Sequence, residues 1–238
     1  MADIDDLLAS IFEDANRALY AEFEKWVRSS RRFRAFATSY RTKIRAKLRN
    51  ARDAQGMKDL RTELEAAFIL LQEERFTLEY EKYAAAKQRG PDFTVTFKTH
   101  TLFSVEVRRI RSVELADGPA EGRAMKLVAA ICDKVAQMPA NMTNLLWISA
   151  ETEIPETELA AATSAIRQLA EGKVDRFFAY YGYPGASEFL RQYGRLNGVV
   201  LRHTGGCVLW LNPLARHKPP HDLDLALRRL LQTDPASD

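Results

Sequence analysis

PDFTVTFKTHTLFSVEVRRI, residues 91–110, is the stretch that decides the fold. Phe93, Val95 and Phe97 alternate with Asp92, Thr94 and Thr96. After Lys98-Thr99-His100 the alternation resumes, with Phe103, Val105 and Val107 against Ser104, Glu106 and Arg108. A period of two is the signature of a strand, because successive side chains leave opposite faces. Two such runs joined by a short turn form an antiparallel pair. A three-residue turn at 98–100 sets Asp92 opposite Glu106, whereas a register two residues along sets Asp92 opposite Arg108. In either register Asp92 and Glu106 share a face.

Working outward, Leu60, Leu64, Ala67, Phe68 and Leu71 recur at helical spacing and predict a helix over 58–74. Phe76, Leu78 and Tyr80 then alternate with polar residues as a first strand, and 84–90 reads as a loop. On the other side Gly118-Pro119 breaks the chain, and 121–138 reads as a helix with Leu127, Val128, Ile131, Val135 and Met138 inward. Asn144–Ser149 (NLLWIS) is a short apolar run of the kind found in buried strands. The core from 58 to 149 thus runs helix, three strands, helix, strand, an α/β arrangement with helices against a mixed sheet. Beyond it come helices near 156–171 and 186–193, a hairpin of Val199–Leu201 with Val208–Leu211, and a last helix over 222–231. Before it, 3–24 reads as one amphipathic helix and 25–52 continues helically past a break at Ser29-Ser30, with a joint at Gln55-Gly56. The expected organisation is a basic helical extension, 1–55, on an α/β domain, 56–238, whose part after 150 elaborates the core.

The 238 residues are 46% hydrophobic, which excludes disorder as a bulk description. No apolar run approaches the ~18 residues of a membrane span. Two cysteines, Cys132 and Cys207, are too few for a disulfide framework or a zinc site. With its acidic start, unlike a secretory signal, the chain is expected to be soluble and cytoplasmic. Net charge is +3, but residues 1–24 hold seven acids and one base, and residues 25–52 hold eleven bases and no acid. Such a block attracts polyanions through counterion release. Arg31, Arg32, Arg34, Lys43, Arg45 and Lys47, joined by Arg123 and Lys126, are the candidate nucleic-acid contacts. The competing reading is a solvated helix face folded against the acidic first segment.

Asp92 and Glu106 on neighbouring strands lie roughly 5 to 8 Å apart in either register. Carboxylates that close repel unless a positive charge separates them. A magnesium or manganese ion is the natural filler, since hard cations take oxygen ligands, and the Val107 carbonyl offers one more. The plainer alternative is a turn residue at Asp92 and a Glu106–Arg108 ion pair on a solvated sheet.

Pro91-Asp92 followed by Glu106-Val107-Arg108 resembles the PD-(D/E)XK signature of restriction-endonuclease-like nucleases, and the element order over 58–149 is similar to that family's αβββαβ core. The resemblance covers about 90 of 238 residues. It implies metal-dependent hydrolysis of DNA phosphodiesters, with Asp92 and Glu106 as metal ligands. Glu63, or next Glu65, is the acidic residue of the first helix. By the same resemblance Lys134 and Gln137 fit the position on the following helix from which a Lys or Gln contacts substrate or orients the site. Arg108 stands where the family has lysine. Arginine holds its charge at any relevant pH and is no base, yet its forked donors bind phosphate. Arg109 points to the opposite face and is a poor substitute. The implied enzyme is a magnesium- or manganese-dependent nuclease. The alternative that Arg108 raises is a nuclease-fold module without turnover that binds nucleic acid or a protein partner. Related folds often act as dimers, so a homodimer is also an expectation.

Other motifs carry less. Phe177, Phe178, Tyr180, Tyr181 and Tyr183 read as packing, or as a stacking surface for unpaired bases. His217 and His221 are separated by Pro219-Pro220, which forbids one helical face for both.

Overall fold

The turn at 98–100 forms as the alternation requires, with Lys98 taking a positive φ of 57°. The computed structural model describes residues 4–12, 17–82, 90–111 and 120–232. Helices α1 (Ile4–Ile11), α2 (Arg17–Ser29), α3 (Arg31–Ser39), α4 (Arg41–Asn50) and α5 (Ala54–Leu70) precede the sheet. Strands β1 (Phe76–Tyr80), β2 (Phe93–Phe97) and β3 (Thr101–Ile110) form an antiparallel meander. Helix α6 (Ala120–Val135) crosses to β4 (Thr143–Ala150), which pairs parallel with β3. Helices α7 (Glu156–Glu171), α8 (Asp175–Tyr180) and α9 (Ala186–Tyr193) lead to β5 (Leu196–His203), parallel to β4. Strand β6 (Gly206–Leu211) returns antiparallel, and α10 (His221–Gln232) follows. The result is one open mixed sheet of six strands, in chain order from β1 to β6, with ten helices among the described residues.

Two cores lie on opposite faces of this sheet. One gathers Phe76, Tyr80, Phe93, Phe103, Val105, Leu145 and Trp147 with α1–α5 and α10. The other gathers Leu146, Ile148, Val199 and Leu201 with α6, α7 and α9. All eight residues of β4 are buried, as expected for a strand covered on both faces. Over β3 the second face turns polar, with Ser104 and Glu106 buried among the side chains. That polar patch is where the site forms.

The helical predictions need several corrections. The stretch 3–24 holds two helices, and residues 13–16 between them lie outside the described residues, as do most of the predicted loop 84–90 and break 114–120. Ser30 ends α2 as predicted and caps α3, its Oγ accepting the Phe33 N–H at 3.1 Å. A second break at Tyr40 has no proline or glycine to announce it. Gly56 lies inside the first turn of α5, where its N–H donates to the capping Asp53 carboxylate at 2.7 Å. The C-terminal hairpin is integral, since β5 extends the main sheet. The basic segment also enters the main core: ring contacts run from Phe23 to Phe33 (5.4 Å), Phe33 to Phe36 (5.8 Å), Phe36 to Tyr80 (5.8 Å) and Tyr80 to Phe93 (5.1 Å).

Arg32 is a strut of this assembly, donating to the carbonyls of Leu71, Glu73 and Phe76 between α5 and β1. Burial lowers its pKa, and Glu74 and Glu73 oppose the fall. Hydrogen bonds from a charged donor contribute more than neutral ones, and stranded carbonyls cost extra. Arg32→Met is therefore expected to destabilise the protein by about 2–3 kcal/mol in urea denaturation. A change within about 0.5 kcal/mol, the usual range for a surface substitution, would return Arg32 to the solvent-facing role read from the sequence.

Candidate active site

The β2–β3 register pairs Phe93 with Val105 and Phe97 with Thr101, so one step beyond β2 Asp92 lies across from Glu106. Of the two registers open in the sequence, this is the one formed. Asp92 sits where both β1 and β2 end. Its Oδ2 accepts the Val107 N–H at 2.7 Å, and its carbonyl accepts the Glu81 N–H at 2.7 Å. Its side chain thus fills the edge of β3 that β2 leaves open. A residue's N–H and C=O face the same strand edge, so the Val107 carbonyl also faces this end of the ladder.

Glu63 reaches the same point from α5. Its Oε2 accepts from the Tyr80 hydroxyl at 2.6 Å and from Lys47 Nζ at 2.5 Å. Lys47, on α4, also lies 2.7 Å from Glu81 Oε1. Glu81 follows β1 at a φ of 45°, a left-handed conformation uncommon for a side chain of its kind. One oxygen each of Glu63, Glu81 and Asp92 lies within 4.8 Å of the others. Glu106 stands beside this trio, 5% exposed. Its Oε1 accepts from Lys134 Nζ of α6 at 2.5 Å, and its Oε2 is buried with no hydrogen-bond partner.

Four carboxylates therefore meet two close ammonium groups, Lys47 and Lys134, with Lys43 at 3.5 Å from Glu81. Asp92 registers the imbalance. Burial, then Glu106 and Glu63, push its carboxyl up from the usual 3.8 to about 8, against the Val107 N–H and Lys47. Burial raises the Tyr80 hydroxyl well above its ordinary value, and Glu63 adds to this, so it remains a donor. Burial lowers Lys47, but Glu63 and Glu81 outweigh it and the ammonium is held above its usual range.

Glu63, Asp92, Glu106, Val107 and Lys134 are thus brought together, as the sequence suggested. Arg108 shares a strand face with Glu106, yet the cation on Glu106 is Lys134, and Arg108 Nε is buried without a partner. Gln137 is not brought in. Helix α6 ends at Val135, short of the predicted 138, and the Gln137 amide donates at 3.5 Å to the Asp133 carbonyl. Glu65 and Arg109 lie apart from this cluster, on a 290 Å³ cavity beside the carboxyl ends of β3, β4 and β5. Ion pairs Lys58–Glu151, Arg61–Glu65, Arg109–Glu151 and Arg202–Glu65 span that cavity.

The basic block splits. Lys43 donates to the Tyr80 carbonyl at 2.7 Å, and Lys47 is in the site. Arg34 donates to the Val27 carbonyl at 3.1 Å at the end of α2. Arg123 grips Glu158 at 2.5 Å. Arg45 is half-buried, whereas Arg31 and Lys126 are exposed. Sequence reading missed Glu81, Tyr80 and the inward role of Lys47. The Phe76–Phe97 register, carried one step past Tyr80–Phe93, places Glu81 across from Asp92 and would have found the first.

No protein-family model, curated protein or solved structure matches this chain. The chemical reading therefore rests on the residues. The site offers clustered oxygen donors in excess of cations, at one end of a strand pair, with Arg108 adjacent.

Proposed function

We propose that this chain is a metal-dependent nuclease that hydrolyses DNA phosphodiester bonds on a restriction-endonuclease-like core. The observation that carries the reading is the cross-strand placement of Asp92 and Glu106 beside Glu63, with Glu106 Oε2 buried and unpartnered. The element order from α5 to β4, with β3 and β4 parallel around α6, supports the same reading.

The donor set fits magnesium or manganese, because all the groups are oxygens and the carboxylates are under-compensated. Asp92, Glu106 and the Val107 carbonyl would hold the ion, with Glu63 and Glu81 adjoining. Bound there, it would supply Lewis acidity and lower the pKa of a water. The remaining roles belong to the chain. Asp92 is fixed by the Val107 N–H, and Glu106 is oriented by Lys134. Arg108 would take a non-bridging phosphate oxygen through its guanidinium and stabilise developing negative charge.

Arg108 in the family's lysine position supports a second reading, a module of this fold that binds nucleic acid or a protein partner without cutting. Plasmid, single-stranded and branched DNA incubated with magnesium or manganese separate the two. Wild type is expected to cut at least one substrate, and Glu106→Ala to lose about 10²-fold or more in rate. Equal, undetectable cleavage by both proteins would favour the binding module.

A further inference from the structure

We propose that Lys47 is a tethered counter-ion, its ammonium holding the space between Glu63 and Glu81, which a divalent cation enters only by displacing it. The inference rests on the metal-site reading and adds how that site is loaded. Lys47 Nζ lies 2.5 Å from Glu63 Oε2 and 2.7 Å from Glu81 Oε1, two of the three carboxylates whose oxygens lie within 4.8 Å of one another. An ion held by Asp92 and Glu106 that draws further oxygens from Glu63 and Glu81 would compete with this ammonium for those two carboxylates.

Four further observations support displacement over permanent pairing. Glu106 Oε2, buried beside Asp92 and unpartnered, shows that the lysines do not exhaust the demand for positive charge. Lys134 covers only Glu106 Oε1. Lys47 is one-quarter exposed along its side chain, so its flexible stem can carry the ammonium to solvent. Glu81 is held beside Glu63 and Asp92 at φ 45°, a conformational cost that a plain surface ion pair does not require. Lys43 is the natural control. It donates to the Tyr80 and Glu81 carbonyls at 2.7 and 3.3 Å, and lies 3.5 Å from the Glu81 carboxylate. It is thus anchored mainly to backbone and reaches the trio only at the outer edge of Glu81, whereas Lys47 joins Glu81 to Glu63.

The test measures manganese binding by calorimetry in wild type, Lys47→Met and Lys43→Met. Methionine keeps most of the alkyl stem and removes the charge. Lys47→Met is expected to bind manganese at least about tenfold more tightly than wild type, and Lys43→Met to stay within about threefold. Equal or weaker binding by Lys47→Met overturns the counter-ion role while leaving the metal site standing. No binding by any of the three overturns the metal reading itself. A second measurement needs no variant. Lysine acylation of wild type, read by peptide mass spectrometry, should label Lys47 several-fold faster with saturating manganese. Unchanged or slower labelling on saturation also overturns the proposal.

Discussion

An Asp92→Asn protein is expected to be more stable than wild type at pH 9 and close to it at pH 4. The Asp92 carboxyl has its folded-state pKa raised from 3.8 to about 8 by burial and by Glu106 and Glu63. The folded protein therefore keeps this proton where the unfolded chain has lost it. Stability from this group is fully present below about pH 4 and is lost as pH rises through about 8. Asparagine imitates the neutral acid, and its amide oxygen can still accept the Val107 N–H. Its advantage should open across that window and reach about 2–4 kcal/mol, below the full linkage value because part of Asp92 is open to solvent. Urea denaturation at both pH values measures it. A variant less stable than wild type at pH 9 would mean that Asp92 is not crowded by like charge. Magnesium at pH 8 should stabilise wild type and leave Asp92→Asn nearly unchanged, because bound cation favours the folded state by mass action.

Phe33→Ala is expected to cost about 3–5 kcal/mol, the usual loss for truncating a buried aromatic. Phe33 is fully buried, with its ring 5.4 Å from Phe23, 5.7 Å from Trp26 and 5.7 Å from Phe68. This loss should appear as one earlier transition, seen alike by tryptophan fluorescence and far-ultraviolet circular dichroism. Those rings join α2 and α3 to α5, and Phe36 carries the contact on to β1. If α2–α4 formed an appendage, the two probes would separate and the sheet would unfold at its original midpoint.

The strand pair at the centre was legible because its signal is local. Alternation marks both strands, and a three-residue turn leaves few registers. Lys134 was legible as a residue of the helix after β3, although only packing shows its amine on Glu106. Gln137 failed because periodicity does not say where a helix stops: Met138 is buried beyond the end of α6. The break at Tyr40 failed for the related reason that nothing in its residue type forces it.

The basic block was legible only in part, for a more general reason. Eleven bases without an acid look like a surface for a polyanion when only the chain is considered. Arg32, Arg34 and Lys43 instead satisfy backbone carbonyls, and Lys47 meets acids contributed by α5 and the end of β1. Charge counted along the sequence carries no information about partners brought from elsewhere in the chain.

By itself the sequence determined the alternating strands, the helices around them and the shared face of Asp92 and Glu106, since these follow from neighbours a few residues apart. Tertiary structure alone decided that Lys47 turns inward to join Glu63 and Glu81 beside Asp92. Their meeting depends on how α4 and α5 lie against the ends of β1 and β2. That placement is set by burial of the shared aromatic core, which acts between residues remote in the chain and leaves no local period to read.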